Sequence, residues 1–297
     1  MAGILFATHG GATAEGACRV AILLAKRLRT RVQALCVVDS RPMIDGGFGS
    51  SYPPTPVEIG ALCDAQRSAG TQQLRRCGGT VSPEVIVGPA AYEIASAARR
   101  SAAELIVVGL GRHNLLDRAL GGETAFQLTQ LASTPVLAVP QTTTEIPRNA
   151  LAAIDFSPTS IASARACARW LVAGDTLTLV HAAGRSHEPL PPADRITLES
   201  LLGGVARGIP AADGVTVNER IVEGDPASQL LSVAASTSAD LIVMGSHGYG
   251  LWKRLAIGSV ASKVLRLSPV AVLVTPLGSL VSQGATVNES PAGVATR

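Results

Sequence analysis

The chain has 297 residues, of which 47% are hydrophobic and 16% are charged, and its formal net charge is +3. This composition excludes a disordered chain, and so slight a charge gives no support for binding to nucleic acid or to an anionic membrane. No apolar run reaches the roughly 18 to 20 residues that span a bilayer, and the amino end lacks a signal-peptide pattern. The 5 cysteines, without a C-x-x-C pair, indicate reduced thiols and predict a cytoplasmic protein.

The chain contains one unit twice. The segment "LIVVG" at 105–109 matches "LIVMG" at 241–245, and Gly122 matches Gly258 at the same spacing. The openings "ILFATHGG" and "ALAAIDFS" also correspond. We therefore predict two domains, repeat 1 at 1–140 and repeat 2 at 149–276, joined by the polar segment "QTTTEIPRN", with a flexible tail at 277–297.

Short apolar segments alternate with Ala-rich segments in each repeat. In repeat 2 the predicted strands are 149–155, 176–182, 216–224, 239–245 and 270–276, and the predicted helices are 158–172, 191–207, 226–237 and 259–267. Apolar strands that each precede a helix are typical of a doubly wound parallel sheet, so we predict two tandem α/β, Rossmann-like domains. Repeat 1 has extra residues between its first and fourth strands, which we place in the Gly/Pro/Ser-rich loop at 41–60.

The segment "GSHGYGLWKRLAIGS" (245–259) joins a predicted strand to a predicted helix in repeat 2. Ligands of doubly wound sheets bind beyond the carboxyl ends of the strands. Ser259 is a good N-cap residue, and the first N–H groups of a helix can hold an anion. Gly245 and Gly248 would let the backbone approach that anion without Cβ clashes. The loop therefore predicts a phosphate site, although turns and a helix cap alone would also explain these residues.

The spacing Gly245-x2-Gly248-x9-Gly258-Ser259, followed by "VASKVLRLSPVAVLV", resembles the nucleotide-binding signature of the universal stress proteins. The segment "AAIDFSPTSIASARAC" resembles the opening strand, aspartate and first helix of that family. The similarity extends over both repeats. It implies a tandem universal stress protein with the adenine-nucleotide α-hydrolase-like fold.

The resemblance implies an ATP site in repeat 2. It places Asp155 against the nucleoside, where a carboxylate accepts hydrogen bonds from ribose hydroxyls or the adenine amino group. It places the small residues Ala153 and Ala182 beside the adenosine. It implies that Mg or Mn is held mainly by the phosphates rather than by a protein metal site. The residues that it assigns to the triphosphate are Met244, Gly245, Gly248, Gly258, Ser259 and Val260.

Repeat 1 departs from this signature at three positions. Arg112 replaces Gly248, Glu123 replaces Ser259, and His9 replaces Asp155. A glutamate beside a phosphate would be repelled strongly at low effective dielectric. We therefore predict that repeat 1 does not bind ATP in the family manner. Its crevice could be empty, could hold another ligand, or could be closed by an ion pair between the arginine and the glutamate.

The leading prediction is an ATP-binding stress-response or regulatory protein with one competent site in the C-terminal domain. No general base is evident against the γ-phosphate, so any ATP hydrolysis is expected to be slow. The alternatives are a slow ATP-hydrolysing or ATP-activating enzyme of the same superfamily and a structural or interaction protein independent of nucleotide.

The family resemblance also bears on assembly. Last strands of two family units commonly pair antiparallel, so "PVLAVP" and "PVAVLVTP" predict an internal pseudo-dimer of the two repeats. A homodimer and an unidentified protein partner are further expectations.

Overall fold

Ten strands form one continuous sheet in the computed structural model, which describes residues 3–39, 55–111, 122–184, 189–246 and 258–276, with only the backbone of 122–123. The strands of repeat 1 are β1 (Ile4–Thr8), β2 (Val32–Asp39), β3 (Glu84–Gly88), β4 (Leu105–Leu110) and β5 (Val136–Pro140). The strands of repeat 2 are β6 (Asn149–Ala153), β7 (Thr176–Ala183), β8 (Thr216–Glu223), β9 (Leu241–Gly245) and β10 (Ala271–Thr275).

The strand order is β3-β2-β1-β4-β5-β10-β9-β6-β7-β8. All pairs within a repeat are parallel. Within each repeat the order reverses beside the first strand, between β1 and β4 and between β6 and β9. This arrangement confirms the predicted α/β class with doubly wound parallel sheets, and it opens a crevice at each reversal point.

The two repeats join through their last strands. β5 and β10 pair antiparallel, with Ala138 opposite Val272 and Leu137 opposite Leu273. These side chains are fully buried, so the pairing covers two apolar strand edges that would otherwise be open. The predicted antiparallel pairing of "PVLAVP" with "PVAVLVTP" is confirmed.

Helices cover both faces of the sheet, because each strand alternates its apolar side chains between two cores that run through both repeats. The helices on one face are α1 (Glu15–Arg27), α2 (Pro56–Arg76), α5 (Pro158–Ala168) and α6 (Pro192–Arg207). Those on the other face are α3 (Ala90–Arg100), α4 (Gly122–Leu131), α7 (Pro226–Ser236) and α8 (Ser259–Leu267). No described helix is both long and apolar enough to cross a membrane.

Contacts between helices and loops also link the repeats. Arg27 of α1 lies 3.5 Å from the fully buried carboxylate of Asp175, at the start of β7, and also donates to the carbonyl of Trp170 at 3.1 Å. On the other face, the guanidinium of Arg266 in α8 lies 5.3 Å from the ring centroid of Phe126 in α4. Cation–π contacts of this kind add about 0.5–1 kcal/mol at exposed sites. Both faces of the sheet are therefore tied across the β5–β10 junction.

One predicted helix is too long. The sequence pattern predicts a helix over 158–172, whereas α5 ends at Ala168. The amide of Val172 instead donates to the carboxylate of Asp175 at 3.0 Å, which draws the chain out of the helix. A local side-chain acceptor thus ends the helix before the apolar pattern does.

The extra residues of repeat 1 fall between β2 and β3. Part of the difference lies in α2, which has 21 residues against 16 in α6. Much of the predicted loop at 41–60 falls outside the described residues.

Candidate functional site

A pocket of about 390 Å³ lies at the carboxyl ends of β6, β7 and β9, between α7 and α8. We call it the C-terminal crevice. Every predicted site residue that the structure describes lines it: Ala153, Asp155, Ala182, Met244, Gly245, Gly258, Ser259 and Val260. Gly248 lies outside the described residues. Leu230 of α7 adds an apolar wall, so the pocket has a mainly apolar interior with polar groups at a few points.

The carboxylate of Asp155 is held from one side. Its Oδ1 atom accepts hydrogen bonds from the amide of Ser157 at 3.0 Å and from the Ser157 hydroxyl at 2.5 Å. Ser157 in turn caps α5 by accepting from the amide of Ser160 at 3.2 Å. Among the described residues Oδ2 has no hydrogen-bond partner, so half of the carboxylate is oriented by the protein and half stays available.

Phe156 adopts the backbone conformation that forms this turn, and no sequence motif indicated it. Its φ is +62°, in the left-handed region, which costs a bulky residue about 1–3 kcal/mol. Its ring packs 4.7 Å from the ring of His181. Because Nδ1 of His181 lies 2.7 Å from the carbonyl of Ile154, this nitrogen carries the proton and donates. At the equivalent place in repeat 1, Gly10 has a φ of +76°.

The first turn of α8 closes the crevice opposite the aspartate. Gly258, with extended backbone, is the N-cap of α8, and Ser259 is its first residue. The prediction that Ser259 is the N-cap is therefore wrong. The helix starts at Ser259, one residue earlier than an N-cap at Ser259 would allow, because the Gly258 amide donates to the Ser246 carbonyl at 2.8 Å and the Gly258 carbonyl accepts from the amide of Ser262 at 3.0 Å. The amides of Ser259, Val260 and Ala261 precede the first intrahelical donor and line the crevice, as an anion site requires.

Gly245 is required by packing inside the protein. A Cβ atom there would lie 2.7 Å from Oγ1 of Thr159 and 3.1 Å from the amide of Ser160, at the start of α5. In repeat 1 a Cβ atom at Gly109 would lie 2.9 Å from the carbonyl of Thr13. The glycine at the end of β9 thus lets a helix start approach the strand, and the same need exists in both repeats. Approach of a ligand is not needed to explain it.

Asp225 and Lys263 form a polar cluster between α7 and α8. Asp225 caps α7 by accepting a hydrogen bond from the amide of Ser228 at 3.0 Å. Nζ of Lys263 lies 2.8 Å from the same carboxylate. The cluster ties together the two helices that form one side of the C-terminal crevice. No group of three or more metal-binding side chains occurs among the residues that the structure describes.

The matching pocket in repeat 1, the N-terminal crevice, has a volume of only about 70 Å³. Strand register places Val37 where repeat 2 has Ala182, and Leu35 where it has Val180. Both larger side chains line this pocket. Each adds carbon atoms to the wall that β2 contributes to this pocket. The side chains of β2 therefore narrow the N-terminal crevice relative to the C-terminal crevice.

His9 occupies the place of Asp155. Its Nε2 atom lies 3.2 Å from Oγ1 of Thr13, and burial lowers the pKa of the imidazole. A neutral ring therefore stands where repeat 2 presents a carboxylate. The Arg112 side chain and that of Glu123 lie outside the described residues, so the predicted ion pair between them stays a prediction.

A buried glutamine organises the floor of the N-terminal crevice. Gln73 of α2 is fully buried and accepts a hydrogen bond from the Thr8 hydroxyl at 2.6 Å. Its Nε2 atom donates to the carbonyl of Gly11 at 2.9 Å. The Thr8 hydroxyl also accepts from the amide of Gly10 at 2.9 Å. In repeat 1 the turn after the first strand is thus bonded to α2, a link that no sequence motif indicated.

Comparison with known proteins identifies the family to which this architecture belongs. The model of the universal stress protein family matches the chain twice, over residues 2–140 and 147–276. The chain therefore belongs to the universal stress protein family, as the signature in repeat 2 predicted.

Among its relatives are universal stress proteins of Mycolicibacterium smegmatis and Mycobacterium tuberculosis, each 31% identical to it. Each match covers 58% of this chain and 61% of the relative, so the chain matches less than two thirds of the length of these relatives. A solved universal stress protein structure from Archaeoglobus fulgidus superposes with a TM-score of 0.66 at 19% identity. That superposition covers 92% of this chain and 96% of the other, and it supports the tandem fold.

Proposed function

We propose that this protein is an ATP-binding stress-response protein that binds one nucleotide per chain, in the C-terminal crevice. The observation that carries the proposal is the contrast between two equivalent pockets, one of about 390 Å³ and one of about 70 Å³. Small-molecule sites usually occupy about 300–1,000 Å³ and are mostly apolar with a few placed polar groups. Of these two equivalent crevices, in the part of the chain that the structure describes, that of repeat 2 has this size.

The two ends of the C-terminal crevice suit the two ends of ATP. Ala153 and Ala182 leave room for a planar base at the strand ends, and the free Oδ2 atom of Asp155 can accept from a ribose hydroxyl or the adenine amino group. The amides at the start of α8 can donate to phosphate oxygens, and the helix dipole adds favourable charge there. Gly248 is proposed to complete the phosphate side. Mg²⁺ or Mn²⁺ would be held mainly by the phosphates, whose charge it would reduce.

Repeat 1 is proposed to act as a partner domain without ATP. The neutral imidazole of His9 cannot replace the carboxylate, and Val37 narrows the base pocket. Glu123 would bring a negative charge to the start of α4, where repeat 2 offers Ser259. These changes affect opposite ends of the crevice, so a single compensating movement would not restore binding.

We propose that the protein responds to nucleotide mainly by binding it, with at most slow hydrolysis. Among the described residues that line the C-terminal crevice, Asp155 is the only carboxylate, and it is engaged by the turn before α5. A side chain in that role orients the nucleoside rather than activating water at a γ-phosphate. The free thiols of all five cysteines fit the proposed cytoplasmic location.

A calorimetric titration of the full chain with ATP and Mg²⁺ tests the proposal. We expect a stoichiometry of one and no heat of binding with the triphosphate moiety alone. Two equivalent sites would contradict the inactive role of repeat 1. Absence of binding, at protein concentrations where the fold is intact by circular dichroism, would favour the structural or interaction protein. Rapid phosphate release in the same sample would favour the enzyme.

Assembly is tested separately. We propose a homodimer of the whole chain and an unidentified protein partner, because in the part of the chain that the structure describes the end strands β3 and β8 are each paired on one side only. Sedimentation with and without ATP would measure whether self-association depends on the ligand. A monomer at all concentrations would remove the homodimer from the proposal.

A further inference from the structure

Two thiols of repeat 1 lie together between α1 and the end of α2. Cys18 donates to the carbonyl of Gln73 at 3.7 Å, and the amide of Cys77 donates to that same carbonyl at 3.1 Å. In return, the thiol of Cys77 reaches the carbonyl of Glu15, one turn before Cys18, at 4.0 Å. Burial raises the pKa of both thiols, and the neighbouring thiol raises the pKa of Cys18 further and lowers that of Cys77. Each cysteine is therefore positioned against the helix that carries the other.

The other cysteines have different surroundings. Cys36 donates to the carbonyl of Gln66 at 3.6 Å, and burial raises the pKa of its thiol to about 11. Cys167 is fully buried in α5 and its pKa is raised by burial to about 12. Cys63 is half-buried in α2.

We infer that Cys18 and Cys77 form a reversible disulfide when the protein meets a hydroperoxide, so that repeat 1 carries a redox-sensitive crosslink. In the first step the Cys77 thiolate attacks the outer peroxide oxygen, the O–O bond breaks, and a sulfenic acid and an alcohol or water form. In the second step the Cys18 thiol attacks that sulfur, the S–O bond breaks, and water leaves. Two thiols and one hydroperoxide thus give one disulfide, one water and one alcohol, or a second water when the oxidant is hydrogen peroxide.

The surroundings assign the order of the two steps. Cys77 is partly exposed, whereas Cys18 is fully buried, so an oxidant reaches Cys77 first. Burial raises the pKa of the Cys77 thiol, while Arg19 and Arg76 act in the opposite direction. The thiolate fraction of Cys77 is therefore small at neutral pH and grows as pH rises. The oxidation should be slow near neutrality and faster at alkaline pH.

The backbone around Cys77 can adjust to the new bond. Cys77 follows the last residue of α2, and Gly78 after it has a φ of +79° with no atom near its Cβ position. Gln73, one turn before Cys77, holds the floor of the N-terminal crevice through Thr8 and Gly11. A crosslink between α1 and the end of α2 would therefore fix this floor and raise the thermal stability of the protein. This inference does not depend on ATP binding by repeat 2.

Peptide mapping of the full chain tests the crosslink directly. The folded protein is treated with hydrogen peroxide, remaining thiols are blocked with N-ethylmaleimide, and the protein is digested with trypsin without reductant. Cys18 falls in peptide 1–19 and Cys77 in peptide 77–99, while Cys36 and Cys63 share peptide 32–67. We expect peptide 1–19 linked to peptide 77–99, with a mass lower than the sum of the two peptides by two hydrogen atoms. Dithiothreitol should separate the two peptides.

Two variants supply the controls. Cys77→Ser should abolish the link and remove the peroxide-induced rise in Tm, whereas Cys63→Ser should leave both unchanged. The link should also form faster at pH 9 than at pH 7. Oxidation of Cys77 to a sulfinic acid without a link would overturn the inference. So would a link between 77–99 and 32–67, or a link that forms only in denaturant.

Discussion

The two crevices share a backbone and differ in what lines it. In both, a glycine lies within the last two residues of the fourth strand because a helix start packs against it, and in both a residue with positive φ follows the first strand. The side chains at equivalent positions differ: repeat 1 has His9 where repeat 2 has Asp155, and Val37 where repeat 2 has Ala182. The comparison teaches that the crevice itself is a product of the doubly wound fold. Its suitability for a nucleotide depends on a few side chains that the fold does not require.

The largest expected effect comes from copying the phosphate side of repeat 1 into repeat 2. Gly248→Arg with Ser259→Glu should weaken ATP binding about 1,000-fold. Like charges about 4 Å apart repel by about 4 kcal/mol at an effective dielectric of about 20. Calorimetry measures the change. Ser259→Gln has the same size without the charge and should cost far less, and equal losses for Gln and Glu would reject the electrostatic explanation.

Replacing the nucleoside carboxylate should have the next largest effect. Asp155→Ala should weaken ATP binding by about 2 kcal/mol, or roughly 30-fold, because a hydrogen bond to a charged group is lost. Its partner in the comparison, His9→Ala, should leave ATP affinity unchanged. Asp155→Asn keeps an acceptor for Ser157 and so separates the loss of charge from damage to the turn. An unaffected affinity in Asp155→Ala would place the nucleotide elsewhere.

A change of two carbon atoms should test the base end of the crevice. Ala182→Val brings the repeat 1 side chain into repeat 2 and should reduce ATP affinity about tenfold, since overfilling a packed site costs about 1–3 kcal/mol. Val37→Ala is the reverse change and should not create a second ATP site, because His9 and Glu123 remain. Titration of both variants against the parent protein measures the difference. Two ATP bound by Val37→Ala would show that bulk alone blocks repeat 1.

The smallest expected effect concerns stability. Thr275 pairs with Gly245 as Val139 pairs with Gly109, and its buried hydroxyl has no partner among the described residues. Thr275→Val should therefore raise the free energy of unfolding by about 1 kcal/mol. Val139→Thr should lower it by a similar amount. Chemical denaturation measures both, and destabilisation by Thr275→Val would indicate that the hydroxyl has a bound partner such as water.

Most of the fold followed from pattern. The helix at 259–267 is predicted to the residue, because its amphipathic stretch lies between a glycine and a strand-like run. The helix at 158–172 was overextended, because the buried carboxylate of Asp175 competes for a backbone amide and no apolar period shows such a contact. The N-cap moved from Ser259 to Gly258 for a similar reason. In both cases a hydrogen bond that the apolar pattern does not reveal set the helix boundary.

Less of the site could be predicted. The signature indicated the strand ends and the helix start, since those motifs are local. It did not indicate the strained turn at Phe156. It also did not indicate that Val37 narrows the N-terminal crevice, because that inference requires the superposition of the strands of the two repeats. The proximity of Cys18 to Cys77 could not be predicted either, because it joins two segments that are far apart in the chain and has no spacing motif. Long-range packing sets all three.

The antiparallel pairing of β5 with β10 has a further consequence for how the two repeats can evolve. When two identical subunits share such a pair, every substitution is imposed on both subunits at once, so neither can lose a ligand alone. Here a single polypeptide supplies both partners, at a fixed ratio and at a high effective concentration. The strand contact between Ala138 and Val272 does not depend on what the crevices hold. Repeat 1 can therefore accumulate substitutions that would abolish ligand binding at both sites of a symmetric dimer. Its last strand still pairs with that of repeat 2 and so completes the sheet.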